Sequence, residues 1–167
     1  AYSDCDLGRG AMKTQGSFTA WLKESGWMVL LIAAVQFGLH MWTNAHDSIF
    51  RDEMYYLVAA QHPAFSYLEF PPFVALVADF SKAVLGDSVL AIRLLPAIAG
   101  AIIILLTANM AASMGGEAKA QVLAALTVAV APVFMASSGM LTMDPFDQLW
   151  WALLAWVLVR MIRDGAG

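Results

Sequence analysis

Two carboxylates, Asp52 and Glu53, stand side by side in the stretch DSIFRDEMYYLVAAQHPAFSYLEFPP, residues 47–72. The stretch follows an apolar run long enough to cross a bilayer, and it continues into two tyrosines, a His-Pro and a Pro-Pro. A third acid, Asp144, follows another apolar run directly, in the segment TMDPFD. A carboxylate in a partly dry site can act as a general base on a hydroxyl, fix a cation or hold sugar hydroxyls. Acids are costly in hydrocarbon, so those beside a membrane span sit at its surface or in a wet cavity. For Asp47, Asp79 and Asp87 a solvated loop charge is the plainer reading. Asp52 and Asp144 differ from them: each lies within about one turn of an apolar run, beside Pro, Tyr or Phe.

The elements that must position these acids are membrane helices. Of the 167 residues, 60% are hydrophobic and 13% charged, with a mean hydropathy of +0.69. A soluble domain is nearer half apolar and a quarter charged. The excess of apolar residues comes in blocks of about 20, and at 1.5 Å per residue such a block spans about 30 Å of hydrocarbon. The expected architecture is an all-α membrane protein with four transmembrane helices at about 26–45, 89–113, 120–141 and 146–162. A loop over 46–88 carries juxtamembrane helices. Within it, Asp52–His62 reads as a short helix ended by Pro63, with Met54, Leu57, Val58 and Gln61 on one face and the tyrosines turned partly away. Phe73, Leu76, Val77, Phe80 and Val84 then mark an amphipathic helix lying on the membrane. Gly86 ends it, and Asp87-Ser88 caps the next helix.

Smaller signals refine this plan. Trp27 and Trp42 flank the first span as interfacial aromatics. Gln36 and His40 share one face of it and read as packing or hydration inside a bundle. Arg93 is expected to snorkel toward head groups, and Pro132 to kink the third span. Residues 1–25 form a polar tail, not a cleavable signal, because the apolar run begins only at Trp27 and is too long for one. Cys5 is the single cysteine, which excludes an intramolecular disulfide. The net charge of −4 offers no basic footprint for nucleic acid.

Charge also orients the chain. With four spans, both termini share one side, and that side holds Arg9, Lys13, Lys23, Lys119, Arg160 and Arg163, six of the nine basic residues. The positive-inside rule puts it in the cytoplasm. The Asp52 loop and the Asp144 loop then face outward together.

The run FRDEMYYLVAAQHPAFSYLEFPPFVALVADFSKAVLGDSVLAIRLLPAIAG, with the later APVFMASSGMLTMDPFD, resembles the bacterial protein O-mannosyltransferase-like enzymes of glycosyltransferase family 39. The shared pattern is an Asp-Glu followed by Tyr, a Pro-Pro some 18 residues on, then Gly-Asp-Ser and Arg-Leu-Pro. The resemblance covers about Ile49 to Arg163. It implies a GT-C-like fold in the bacterial inner membrane and a polyprenyl-phosphate-linked sugar donor. The acceptor would be a lipid, glycan or protein at the external face, with inversion of the anomeric centre. It makes Asp52 the general base, Glu53 its acceptor- or site-organising partner and Asp144 the second acid of the catalytic cavity. Tyr55, Tyr56 and Pro71-Pro72 match the loop framework, and Tyr55, Tyr56, Arg51, Arg93 and His62 are the candidate substrate-binding residues. No nucleotide or Gly-rich phosphate loop is required, since the donor carries its own phosphate leaving group. Whether a divalent cation takes part is left open, and no metal-ligand set is assigned. In the aminoarabinose transferases of this family a Lys precedes Pro-Pro; here that position is Phe70, which argues against that sugar and shifts phosphate neutralisation to Arg51, to Arg93 or to sequence outside this chain. Family members are also longer, with about a dozen spans, so the chain is expected to be the N-terminal portion of such an enzyme, 164–167 being a truncated tail.

Two other functions fit the outward acids. One is a transporter, channel or assembly subunit that binds cations or a partner, although transporters more often place ionisable groups mid-span. The other is a catalytically silent homologue that partners a full enzyme; the retained Asp52-Glu53 pair counts against it.

Overall fold

The computed structural model describes residues 25–62, 64–68 and 70–165, except for the side chain of Asp164. The polar tail with Cys5, together with Pro63, Glu69 and the last two residues, lies outside the described residues. Those described are helical and loop, with no strand among them. In chain order the helices are α1 Trp27–Asn44, α2 Arg51–Ala60, α3 Phe73–Leu85, α4 Val89–Ser113, α5 Ala118–Val130, α6 Pro132–Ser138 and α7 Asp144–Asp164.

The centre is α4, which packs against α1, α3, α5, α6 and α7. Its buried face is built from Ala91, Ala97, Ala99, Gly100 and Ala108 with Ile92, Ile103 and Ile104. Small side chains let neighbouring backbones approach closely, which is how helices associate when lipid removes most of the hydrophobic drive. Gly100 shows the limit: a Cβ there would lie 2.7 Å from Ser138 Cβ, closer than side-chain carbons can sit. At its start α4 is capped by Ser88, whose Oγ accepts the Ala91 N–H at 3.2 Å. At its end the Gly115 N–H bonds the Ala112 carbonyl at 3.0 Å and the Gly116 N–H the Ala111 carbonyl at 2.8 Å. Gly115 takes φ +88°, the left-handed turn this cap requires.

By itself α4 is long and apolar enough to cross a membrane. The expected third span, 120–141, is not one helix. It divides into α5 and α6, bent by 62° at their junction, and the bent pair would pass as a second span only if taken together. Pro132 is the cause. It has no N–H to continue the ladder, and it forces Ala131 into an extended conformation, φ −67° and ψ 123°. Helix α1 carries Gln36, His40 and Asn44, all buried, and α7 carries Asp144, Asp147 and Arg160, so neither is uniformly apolar.

Helix α3 turns its small residues to the protein. Its small residues Ala75, Ala78 and Ser81, with Val74 and Val77, are buried, while Phe73, Leu76, Phe80 and Val84 point outward. Val77 therefore leaves the apolar stripe expected from its spacing. Two cores result. One joins Tyr56, Phe70, Val74, Ile92, Leu141 and Phe146 around α2, α3 and the start of α7. The other joins Val29, Ala33, Ile104, Ala108 and Ala125 at the far end of the bundle.

Candidate active site

The near core supports a buried ion pair that organises everything around it. Glu53 is 0% exposed and Arg93 is 3% exposed. Arg93 Nε donates to Glu53 Oε1 at 2.7 Å and Nη2 to Oε2 at 2.6 Å, a two-pronged contact. The same carboxylate accepts the Leu141 N–H at 2.8 Å and the Phe50 N–H at 2.8 Å. Arg93 Nη2 also donates to the Ser48 carbonyl at 2.9 Å, and Nη1 reaches Asn44 Oδ1 at 3.4 Å. One pair thus ties together the end of α1, the start of α2, α4 and the turn before α7.

Glu53 sits at the third position of α2 and reaches back to the N–H of Phe50, half of a capping box; Phe50 has no polar side chain to reciprocate. Burial pushes the Glu53 carboxyl up. The Arg93 hydrogen bonds, the N–H groups of Leu141 and Phe50 and the Arg93 charge outweigh it, so the group is held below its ordinary value. Arg93 does not snorkel. A guanidinium with a carboxylate inside the bundle has no reason to climb to head groups, and Glu53 has no oxygen left for a substrate. The inward face of α2 is Glu53, Tyr56 and Ala60, while Met54 and Val58, expected to share an apolar face, are exposed.

Asp52, next in the chain, points the other way. Its side chain is 53% exposed, and Arg51 Nε lies 3.6 Å from Oδ1. Asp52 lines a cleft of about 420 Å³ with Arg51, Tyr55, Tyr56, Phe70 and Met143. Phe70 is its buried floor. Its ring packs at 5.3 Å from Tyr55, 5.0 Å from Tyr56 and, stacked, 4.7 Å from Tyr67. The Tyr67 hydroxyl is within 3.0 Å of the Ala59 and His62 carbonyls, so it fastens the end of α2 to the loop that delivers Phe70.

Asp144 is exposed in the first turn of α7, where a negative charge suits the helix dipole, and it accepts from the Thr142 hydroxyl at 3.2 Å. The adjacent Met143 lines the Asp52 cleft. Burial, then the charge of Asp144, then that of Asp52, then Tyr55 push the Tyr56 phenol up. Two acids far apart in sequence thus bear on one hydroxyl, and that hydroxyl stays protonated.

Of the expected site residues, Arg51, Asp52, Tyr55 and Tyr56 meet in the cleft, with Asp144 at its margin. Glu53 and Arg93 lie behind it as the pair that holds it. His62 is exposed at the end of α2 and lines neither this cleft nor the cavity beside α1. Sequence reasoning missed Tyr67, Met143, the Leu141 N–H and the Ser48 carbonyl. The Leu141 contact spans 88 positions, and backbone groups carry no residue-type signal at all. Among the described residues no group of three His, Cys, Asp or Glu side chains is placed to hold a metal ion.

The family model described as dolichyl-phosphate-mannose-protein mannosyltransferase matches residues 69–167, more than half of the chain. The matched segment includes Phe70, Arg93 and Asp144 and begins after α2. No curated protein and no solved structure matches the chain.

Proposed function

Because the chain belongs to the dolichyl-phosphate-mannose-protein mannosyltransferase family of glycosyltransferases, we propose that it transfers a sugar from a polyprenyl-phosphate donor to an acceptor hydroxyl, with Asp52 as general base. The observation that carries this reading is the division of labour between adjacent acids. Glu53 is consumed by Arg93, whereas Asp52 stands in a cleft beside a protonated Tyr56.

In the proposed reaction the acceptor hydroxyl gives its proton to the Asp52 carboxylate while its oxygen attacks the anomeric carbon. The bond from that carbon to the phosphate oxygen breaks, polyprenyl phosphate leaves and the anomeric centre inverts. Tyr56 can donate a hydrogen bond to sugar or phosphate oxygen throughout. Arg51 is the cation lining the cleft and the candidate for the phosphate, since Arg93 is committed to Glu53. Asp144, at the margin of the cleft next to Met143, is the second acid that orients acceptor hydroxyls.

The same proposal has α1, α4, the bent α5–α6 pair and α7 in the bilayer of a bacterial inner membrane. Both ends of this segment are cytoplasmic and the Asp52 cleft is external. The face of Phe73, Leu76, Phe80 and Val84 then rests in the interfacial lipid.

The test is transfer of radiolabelled mannose from synthetic polyprenyl-phosphate mannose by the full chain in membranes. Asp52→Asn is expected to lower the rate by about 10²–10⁴-fold while the melting temperature holds. Undiminished transfer by this variant would remove Asp52 as the base.

A further inference from the structure

The loop between α2 and α3 carries the two most exposed large apolar side chains among the described residues, Phe65 and Leu68, both fully exposed. A single exposed apolar residue needs no account; two on one short tip do. The segment PAFSYL, residues 63–68, carries no charge, and His62 and Glu69 flank it in the chain. An apolar tip between polar neighbours is the pattern of a segment that meets hydrocarbon only at its end.

The tip is fastened in place. The Tyr67 hydroxyl lies 3.0 Å from the Ala59 and His62 carbonyls and accepts the Ala64 N–H at 3.3 Å. The Tyr67 ring stacks at 4.7 Å on Phe70, the buried floor of the Asp52 cleft. Phe65 and Leu68 are therefore presented from a backbone tied to the end of α2, and little conformational entropy remains to be lost when they are covered.

Continuity with the rest of the surface says what covers them. Shortly after the tip, α3 begins with Phe73, whose ring lies 5.4 Å from Phe146 and 6.1 Å from Trp150. Trp150, Trp151 and Leu154 are exposed along the first half of α7. In the proposed topology this is the outer end of a bilayer helix, where aromatic rings gather. The apolar surface of α7 thus runs through Phe73 to the outward stripe of α3, and the chain carries it back to the tip. Because Phe65 and Leu68 touch nothing around them, they form no groove. A protein would have to bring a pocket for each side chain, whereas fluid acyl chains close around any apolar projection. The tip also carries no cation, so anionic head groups are not what draws it.

We propose that residues 64–68 insert into the acyl chains of the outer leaflet, with Phe65 and Leu68 as anchors, and so hold the floor of the Asp52 cleft at the membrane surface. This rests on the membrane placement in the proposed function and not on the role of Asp52.

The test places nitroxide labels in the full chain carrying Cys5→Ser, one at a time, by Phe65→Cys, Leu68→Cys, Leu154→Cys and Asp87→Cys, in phosphatidylethanolamine–phosphatidylglycerol vesicles. Collision with oxygen, which concentrates in hydrocarbon, is compared with collision with a neutral nickel chelate, which stays in water. The labels at 65 and 68 are expected to be oxygen-rich and nickel-poor, about 5–10 Å below the head groups, with 154 in lipid and 87 in water. Nickel access at 65 and 68 equal to that at 87, with 154 in lipid, overturns this proposal and leaves the membrane placement standing. Nickel access at 154 as well removes both. Labels at 65 and 68 shielded from both reagents mark a protein contact and also overturn it. Fluorine relaxation of 4-fluorophenylalanine at position 65, assigned by Phe65→Leu, repeats the comparison with the phenyl ring in place, so the result does not depend on the cysteine variants folding. A failed transfer assay leaves every one of these readouts intact.

Discussion

Replacing Glu53 with glutamine removes one negative charge and almost no volume, and the local geometry predicts a large cost. Each Glu53 oxygen accepts one guanidinium N–H and one backbone N–H, at 2.6–2.8 Å. In the amide one oxygen becomes an NH₂ group, so one of those pairs of donors faces a donor. Arg93 meanwhile keeps its charge at 3% exposure. Breaking a buried pair from one side costs about 3–5 kcal/mol, because the remaining charge is uncompensated. Against a total stability of about 5–15 kcal/mol, that loss lowers the melting temperature of a chain this size by roughly 6–20 °C. Asp52→Asn is the internal control. Its contact with Arg51 is 3.6 Å long with side chains 53% and 93% exposed, and such pairs contribute about 0–1 kcal/mol. Denaturant or thermal unfolding of the full chain in one detergent measures both. If the cost is the stranded charge, Glu53→Gln with Arg93→Met is less destabilised than the two single losses added together, by at least about 1 kcal/mol. A Glu53→Gln protein within about 1 kcal/mol of the parent, or a strictly additive double variant, would refute the reasoning.

Acid should act on the same pair. The Glu53 carboxyl is held below its ordinary 4.5, so the stability it contributes is complete above that value and is lost as pH falls through the lower folded-state value. Melting temperature against pH checks this, and Glu53→Gln should flatten that part of the profile. Tyr56→Phe keeps the ring against Phe70 but deletes the cleft hydroxyl. Transfer is expected to fall by roughly 2–10-fold, with stability within about 0.5 kcal/mol of the parent; equal activity would remove the hydroxyl from the site. Gly100→Ala forces a methyl group against Ser138 and is expected to destabilise by about 1–3 kcal/mol, read by the same unfolding assay.

The all-α class and the positions of several helices are legible because burying apolar surface leaves a periodic trace in the chain. The stretches 89–113 and 73–85 appear as helices where spacing puts them, and Gly86 and Ser88 end one helix and cap the next as their chemistry dictates. The third expected span is divided into two helices for a local reason that is also visible. Pro132 reads as a kink, and whether a proline bends a helix or divides it depends on whether neighbours hold the two halves in line.

Which face of a helix turns inward is legible only in part. On α2 the apolar spacing favours Met54, Leu57 and Val58, yet the helix is rotated so that Glu53 and Tyr56 face the bundle. The decision is made by Arg93, 40 positions away, whose guanidinium gains a buried carboxylate only in that rotation. On α3 the large apolar residues stay outward, as a membrane-lying helix has them, but Val77, which spacing adds to their stripe, is buried with Ala75, Ala78 and Ser81 on the face that packs against α4.

The candidate site divides along the same line. Residue types and their order are enough to single out Asp52, Glu53 and Asp144 as the acids to consider, because carboxylates beside apolar runs are costly and each must have a wet or paired environment. They do not tell the two adjacent acids apart, since both share a charge, a helix and a neighbourhood. Packing separates them. Successive helix positions point about 100° apart, so when Arg93 draws Glu53 inward, Asp52 is left facing the cleft.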